Sequence, residues 1–401
     1  MSSRASRIIP HAIVAAVVAL ALALAVGASR AVPLASGEED FNVAGFVIQH
    51  AWVKFAAVAV DPFRPDLTAA EEDERLARFF ELNDLIALNE RRAADPTLAA
   101  FDRDAAADRL HDYYSEREDI ENSVERIVEG KLTDAIKEAG LTRHVGADIV
   151  WPPVAIEFED PPSVLIESPR DVIRKDSERL LQDGLPIERV QQLEAEAERD
   201  GETSALVVRI GAIATYPAII PFTAGYRDAL DRSAHEWMHH YLSFAPLGRG
   251  YGDSAESTTL NETVANMFGR EMACRMVQCE VNVRAAPGAA APDGAQTAFD
   301  FTAEMRGLRR EVEALLAQGM IDDAEALMEG RRRVFLDNGY YIRRINQAYF
   351  AFHGSYADSA GSIDPIGPKF AQLRERSASL EAFIESAREF TSAADLDKAL
   401  R

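Results

Sequence analysis

The sequence has few cysteines and too few positive charges to balance its acids. Cys274 and Cys279 are the only cysteines among 401 residues, too few for a paired-cysteine zinc site. In an oxidising compartment they could form a short-loop disulfide, which the sequence leaves open. Basic residues number 43 against 66 acidic ones, so the formal net charge is -23. Because such a surface repels phosphate backbones, we expect no nucleic-acid partner.

Long uncharged apolar runs are also scarce, and the clearest one lies near the N-terminus. Residues 12–28 follow Arg4 and Arg7, and their length falls between a signal-peptide core and a full bilayer span. Small residues at 29–31 offer a cleavage site. We therefore expect residues 1–31 to be a signal or anchor segment. Cleavage of this segment would release a secreted protein. We favour the other outcome, in which the segment stays as a transmembrane helix and the remainder of the chain is exported. A buried N-terminal helix is the alternative.

The remaining composition is that of a globular protein, with 47% hydrophobic and 27% charged residues. Periodicity predicts an α+β fold that is predominantly helical, in which a small β-sheet precedes a metal-binding helix and a helical C-terminal lobe. The expected regions are 32–150, helical; 151–284, the sheet with the metal-binding helices; and 285–401, the C-terminal lobe. Strands are expected at 154–158, 164–167, 205–214 and 216–220. Helices are expected within 67–140 and at 170–182, 187–199, 226–244, 260–276, 302–317, 322–337, 340–352 and 369–391.

The most informative segment is His235-Glu236-Trp237-Met238-His239. Residues four apart share one face of a helix, so His235 and His239 can bind one ion through their imidazoles. Glu236 lies at the edge of that face, where its carboxylate can reach a metal-bound water without ligating the metal. This H-E-x-x-H arrangement is typical of zinc peptidases, although two histidines on an ordinary amphipathic helix would give the same pattern.

A catalytic zinc needs a third protein ligand. One class of enzymes has a third histidine six residues after the second, but Ala245 stands there, and His240 points away from the pair. Glu262, on a following helix, is the predicted ligand. The alternative is that Glu262 completes a capping box with Thr259. Three other acidic residues are weaker candidates: Asp253, Glu256 and Glu271.

H-E-x-x-H followed by Asn261-Glu262-x-x-Ala265 resembles the gluzincin metallopeptidases, which include thermolysin-like enzymes and a bacterial group of predicted aminopeptidases. The resemblance implies that Glu262 ligates zinc. In gluzincins the residue four positions later is usually an aspartate that hydrogen-bonds the first histidine, and here it is Asn266. An asparagine can accept the imidazole N–H but would not raise the basicity of the ligand as a carboxylate does.

A second stretch is similar to the predicted aminopeptidases, which carry Asn-x-Ala followed eight residues later by Tyr. Asn346, Ala348 and Tyr356 keep this spacing. The resemblance implies that Tyr356 faces the site, where its hydroxyl can stabilise an oxyanion. His353 could serve the same role, and an aromatic core stripe is the alternative interpretation of this stretch.

Together these residues predict a zinc-dependent hydrolase of peptide or protein substrates. Glu236 would act as general base, and the edge of the strand region 205–220 would pair with an extended peptide. If the enzyme is an aminopeptidase, an acidic group must hold the substrate's amine, for which the candidates are Glu157, Glu159 and Glu167. The competing hypotheses are a degenerate, membrane-tethered scaffold on a peptidase fold and a metal-dependent hydrolase of other bonds.

Overall fold

The computed structural model describes residues 37, 39–60, 67–144, 148–279, 299–357 and 359–401. These residues form an α+β fold in which helix predominates and the strands make a few small sheets, as the sequence predicts. The helices are α1 (Val43–Val60), α2 (Ala69–Ala94), α3 (Ala100–Glu138), α4 (Ile187–Ala197), α5 (Tyr226–Leu242), α6 (Pro246–Arg249), α7 (Ala255–Met276), α8 (Phe301–Leu316), α9 (Ile321–Asp337), α10 (Gln347–His353), α11 (Ile366–Arg376), α12 (Leu380–Ala387) and α13 (Ala393–Ala399). The strands are β1 (Arg143–His144), β2 (Asp148–Ile149), β3 (Ile156–Phe158), β4 (Ser163–Pro169), β5 (Ser177–Leu181), β6 (Thr203–Arg209) and β7 (Ala218–Ile220).

The long helices α2 and α3 pack side by side behind the central helices. Thr68 and Glu71 form a reciprocal capping box that starts α2. Apolar side chains at helical spacing, among them Phe79 of α2 and Val124 of α3, are fully buried. They pack in one cluster with Leu230 of α5, so this helical pair supports the helix that carries the histidines.

The main sheet is antiparallel, with strand order β5-β4-β6. Because side chains alternate along β4, Ile166 packs towards Ala348 of α10 on one face, while Leu165 packs towards Leu193 of α4 on the other. A separate parallel pair joins β3 to β7. Only five residues separate β7 from α5, so this pair fixes where the metal-binding helix begins.

Helices α5 and α7 pack closely against each other over the largest core cluster. Trp237 of α5 is fully buried and donates its indole N–H to the Pro152 carbonyl at 2.8 Å. Gly269 of α7 permits this close approach, because a Cβ there would lie 2.6 Å from the Asp231 carbonyl oxygen. The same Cβ would lie 3.2 Å from the Cβ of His235. The small residue at position 269 therefore sets the spacing of the two helices that carry the candidate ligands.

A disulfide joins Cys274 to Cys279 at the end of α7. The sequence left this pairing open. The bond ties the last turn of α7 to the chain that leaves it, and the backbone N–H of Cys279 also donates to the Cys274 carbonyl at 2.9 Å. The C-terminal end of the helix that carries Glu262 is thereby fixed.

Three predicted helices are wrong in extent or kind. Residues 170–182 contain β5 instead of a helix, because Leu180 and Leu181 are buried on opposite faces of the sheet. In 340–352 only the part from Gln347 onward is helical, since Asn346 caps α10 at that point. The helix expected at 369–391 is broken into α11 and α12, and the Ser379 side chain caps the second of them.

The prediction of a transmembrane helix is wrong for the part of the chain that the structure describes. None of the helices there is long and apolar enough to cross a membrane. Residues 12–28, on which the prediction was based, lie outside the described residues.

Candidate metal centre

Helix α5 brings His235 and His239 together on one face, one turn apart. Their Nε2 atoms lie 3.0 Å from each other. The two side chains retain 12% and 14% of their exposure, so the pair is largely buried yet reachable from solvent. This arrangement agrees with the spacing argument made from the sequence.

Helix α7 supplies the third candidate ligand. Its N-cap is Ser254, which forms a capping box with Ser257, so Glu262 lies two turns inside the helix. The alternative interpretation, a capping box between Thr259 and Glu262, is therefore wrong. The Oε2 atom of Glu262 lies 3.5 Å from the Nε2 of His235 and 3.5 Å from that of His239.

Two neighbouring side chains hold these ligands in place. The Asn261 Oδ1 accepts the Nδ1–H of His239 at 2.7 Å, which leaves the Nε2 lone pair for a metal. The Tyr251 hydroxyl donates to the Oε1 of Glu262 at 2.7 Å, and the Tyr251 ring meets that of His239 edge-on. Sequence reasoning missed both roles. Asn261 could have been found, because the residue before a ligand on the same helix can reach a neighbouring imidazole.

The remaining acceptor of Glu262 indicates what kind of ligand fits the site. Its Oε2 is buried and has no hydrogen-bond partner among the described residues, although buried polar atoms normally have one. It faces the Nε2 atoms of His235 and His239, and the three ligand atoms lie within 4.8 Å of one another. Ligands about 2.1 Å from a tetrahedral ion lie roughly 3.4 Å apart. Two imidazole nitrogens and one carboxylate oxygen thus form a possible binding site for a metal ion.

The electrostatics of the triad favour a cation. Burial by itself would lower the pKa of His239, but the Glu262 carboxylate, with smaller contributions from Glu236 and Asn261, outweighs burial and raises this pKa to about 9. Burial by itself would raise the pKa of Glu262, yet the two imidazoles hold it well below its ordinary value. Each group is therefore stabilised by opposite charge at the point where the three ligand atoms meet.

Glu236 is buried beside the triad without belonging to it. Its Oε1 lies 4.0 Å from the Nε2 of His235. Burial raises the pKa of this carboxyl, with a smaller contribution from the charge of Glu262, while the two histidines oppose the rise. A carboxylate at the edge of the site that takes up a proton readily has the properties of a general base.

Tyr356 follows α10 and is close enough to Tyr251 to affect the pKa of that residue. The pKa of Tyr251 is raised well above its ordinary value by burial first, then by the charge of Glu262 and by that of Tyr356. Glu178 of β5 contributes as well. Tyr356 and Glu178 are therefore electrostatic neighbours of Tyr251, which itself contacts two candidate ligands. His353 instead lines a separate cavity.

The Asn-x-Ala element has a structural role. The Asn346 side chain caps α10 by accepting from the Tyr349 N–H at 2.9 Å, and it donates to the Ala205 carbonyl at 2.9 Å. Ala348 is fully buried against the sheet. These contacts place α10, and with it the chain that leads to Tyr356, under β4 and β6.

The other candidate residues are occupied elsewhere. The Nε2 of His240 meets the Thr215 carbonyl at 2.8 Å, and burial lowers its pKa to about 4, so it is a neutral core residue. Glu271 pairs with Arg374, and Glu256 accepts from the Ala393 N–H.

The possible amine-binding carboxylates also have other partners. Glu157 lies 3.6 Å from Lys54, Glu159 lies 3.8 Å from His50, and Glu167 accepts from Ser177. Asp253 stands just before α7, and Asn266 lies on α7 one turn beyond Glu262.

The outer edge of β6 is not available to a peptide. Its backbone N–H groups at Ala205 and Val207 donate to Glu198 and Glu194, at 2.9 and 2.7 Å. The carbonyls of the same two residues accept from side chains of the chain just before α10. The expectation that an extended substrate pairs with the strand region 205–220 is therefore wrong for β6.

The chain was compared with models of protein families, with curated proteins and with solved structures, and none of them matches it. The resemblance to gluzincins thus depends on the motif residues alone and stays a prediction.

Proposed function

We propose that this protein is a zinc-dependent peptidase whose metal ligands are His235, His239 and Glu262. The observation that carries the proposal is the buried Oε2 of Glu262, which faces two imidazole nitrogens and has no hydrogen-bond partner among the described residues. The donor set of two histidines and one glutamate is one that catalytic zinc adopts. When bound, zinc acts as a Lewis acid and lowers the pKa of a water molecule from 15.7 towards ~7.

Glu236 moves the proton in this mechanism. Its carboxylate takes a proton from the attacking water and later delivers it to the leaving amine. Its position one residue after His235 places it within 4.0 Å of a ligand atom, and its burial favours the protonated form that must follow the first step. Asn261 holds the ring of His239, and Tyr251 holds the carboxylate of Glu262.

Tyr356 is the proposed donor to the oxyanion that develops on the substrate carbonyl. Its electrostatic influence on Tyr251 supports a position beside the candidate metal centre. The Tyr251 hydroxyl is less suited to this task, because it already donates to the Oε1 of Glu262.

The substrate backbone has a candidate binding edge on β5 in place of β6. The Leu180 carbonyl accepts from the Phe41 N–H on the outer side of β5. Because the ladder alternates, the backbone groups of Glu178 face the same outer side. Residues 39–41 already cover this side of β5 at 180–182, so an extended peptide would add at the Glu178 end of the strand, close to Tyr251.

The bond between Cys274 and Cys279 supports a site of action outside the reducing cytoplasm. We propose that the catalytic part of the chain works in an oxidising compartment.

The test is a comparison of wild type with Glu236→Gln, each assayed for bound zinc and for hydrolysis of a mixed peptide library. We expect both proteins to hold zinc and only wild type to hydrolyse peptides, with a loss of about 10²-fold or more in kcat for the variant. A matched control is Glu256→Gln, which changes an exposed carboxylate on α7 and should leave the rate unchanged. If wild type bound zinc and hydrolysed no peptide, the scaffold hypothesis or a non-peptide substrate would replace the proposal.

A further inference from the structure

A second concave site lies in the C-terminal part of the chain. It is a cavity of about 390 Å³ among α8, α10 and the loops that flank α10, which falls within the size range of small-molecule sites. Phe301 and Tyr340 stack in its wall with ring centroids 4.5 Å apart. Tyr341, which is 87% exposed, stands at its mouth.

The walls of this cavity are tied together by hydrogen bonds. Arg306 of α8 donates to the carbonyls of Ser359 and Ser362, at 3.2 and 3.1 Å. The Ser359 hydroxyl donates to the His353 carbonyl at 2.6 Å. Because these bonds fix the loop against both helices, the cavity does not depend on a ligand to form.

The lining selects against charge. Its ten residues include no aspartate, glutamate, lysine or arginine, although the whole chain has a formal net charge of -23. Burial lowers the pKa of His353 to about 4, so its imidazole is neutral at physiological pH. A charged ligand would lose its hydration here without gaining an ionic partner.

Two polar groups on the lining have no hydrogen-bond partner among the described residues. Tyr349 and His353 lie one helical turn apart on α10, with ring centroids 4.3 Å from each other. Neither the Tyr349 hydroxyl nor the His353 imidazole makes a hydrogen bond with any described residue. A neutral imidazole offers one donor and one acceptor, and a phenol can act as either. Such groups in an apolar cavity normally orient a ligand.

We infer that this cavity binds a neutral aromatic group that carries one hydrogen-bonding substituent. The ring fits between Phe301, Tyr340 and Tyr341, and its substituent meets His353 and Tyr349. The binding chemistry follows from the lining and does not depend on the metal centre, none of whose residues lines the cavity.

Such a group can come from two sources. Tyr356 follows His353 by three residues and is an electrostatic neighbour of Tyr251, so an aromatic side chain of a peptide substrate is one source. This possibility rests on the proposed peptidase function. A free small molecule is the other source, and this source does not depend on the proposed peptidase function.

Binding is measured first, by calorimetric titration of the full chain with p-cresol, toluene and benzoate. We expect p-cresol to bind about five-fold more tightly than toluene, which lacks the hydrogen-bonding group. Benzoate, which is charged, should show no measurable binding. Absence of p-cresol binding at millimolar concentration would overturn the inference.

Two variants locate the binding. His353→Phe keeps an aromatic ring and removes both ring nitrogens, so p-cresol should bind about five-fold more weakly while toluene is unaffected. Tyr341→Ala removes an exposed wall and should weaken both ligands without affecting folding. Phe101→Ala, which removes an equally exposed ring on α3, is the matched control and should change neither. Affinity that is equal in wild type, His353→Phe and Tyr341→Ala would contradict the assignment.

Peptide hydrolysis by the zinc-loaded protein then separates the sources. If p-cresol raises the KM for a tyrosine-containing peptide but not for its alanine counterpart, the cavity accepts a substrate side chain. If p-cresol binds and leaves hydrolysis unchanged, the occupant is a separate small molecule. If no peptide is hydrolysed, the proposed function fails, while the binding result still stands by itself.

Discussion

The molecule contains two buried groups of acidic residues that differ in how their charge is balanced. In one of them, here called the Lys54 cluster, the Lys54 ammonium lies 2.6 Å from Glu125, 3.4 Å from Glu129 and 3.6 Å from Glu157. Glu121 also belongs to it. In the candidate metal centre three acceptor atoms converge with no lysine or arginine between them, and the Oε2 of Glu262 has no hydrogen-bond partner among the described residues.

The pKa values of the carboxyl groups differ in the same way between the Lys54 cluster and the candidate metal centre. Burial raises the pKa of Glu125 to about 7, against the opposing charge of Lys54, and that of Glu121 to about 8. The carboxylates of the Lys54 cluster outnumber their lysine, so protons supply the missing positive charge. In the metal centre the pKa of Glu262 is lowered, so this carboxylate stays ionised. The Lys54 cluster thus contains its own lysine, whereas Glu262 is kept ionised by the two imidazoles whose nitrogens would bind the metal.

The largest expected effect concerns zinc itself. A metal ion at 1,000 times its Kd stabilises the folded chain by about 4 kcal/mol, measurable as a rise in the thermal unfolding midpoint. Glu262→Ala should abolish this rise, because it removes the carboxylate ligand. Glu157→Gln, in the Lys54 cluster, is the matched variant and should retain it. If Glu262→Ala and Glu157→Gln showed the same rise in unfolding midpoint with zinc, the two groups would not differ in metal binding.

The next effect concerns the internal cation. Lys54→Met keeps the apolar stem and removes the charge, so it should lower the free energy of unfolding by about 3–5 kcal/mol at pH 8. The loss should shrink at lower pH, because protons then neutralise the unpaired carboxylates. Lys131→Met, which removes a surface ion pair with Asp73, should cost less than about 1 kcal/mol. Urea unfolding checks both values, and equal losses would show that Lys54 is not the balancing charge.

A smaller effect is expected from the residue that orients His239. Asn261→Ala should weaken zinc binding about 10–100-fold, because the imidazole loses the acceptor that fixes its tautomer. Competition with a chelator of known affinity measures the change. Asn338→Ala, at the half-buried C-cap of α9, serves as control. An unchanged affinity in Asn261→Ala would show that the hydrogen bond plays no part in metal binding.

The smallest effect is a pH dependence of stability. The folded-state pKa of Glu121 lies above its unfolded value of 4.5, at about 8, so the folded chain holds more protons than the unfolded chain between these values. Stability should therefore fall as pH rises through this window. Glu121→Gln should flatten the fall by on the order of 1 kcal/mol after allowance for solvent screening. Glu138→Gln, an exposed position at the end of α3, should not change it.

The metal centre was largely predictable, because helical spacing determines it. His239 follows His235 by four positions, and any regular helix brings the two residues to one face. Glu262 was harder to assign, since only the observed start of α7 at Ala255 distinguishes a ligand from a helix cap. Tyr251 was not predictable, because it lies in a loop whose path depends on tertiary packing.

The fold class followed from composition and periodicity, but the sheet edges did not. β5 has no clear alternation in sequence, and it becomes a strand only because β4 pairs with it. The outer edge of β6 is covered in part by Glu194, whose side chain accepts from the backbone N–H of Val207, 13 residues further along the chain. Side chains that reach a strand edge from another element leave no local pattern, so the sequence did not show that the outer edge of β6 is covered.

The most direct test of this account is the zinc content of the protein, purified without chelators, for wild type and Glu262→Ala. The account predicts about one zinc ion per chain in wild type and a small fraction of that in the variant. Equal zinc content in both, or none in wild type after loading with zinc, would contradict it.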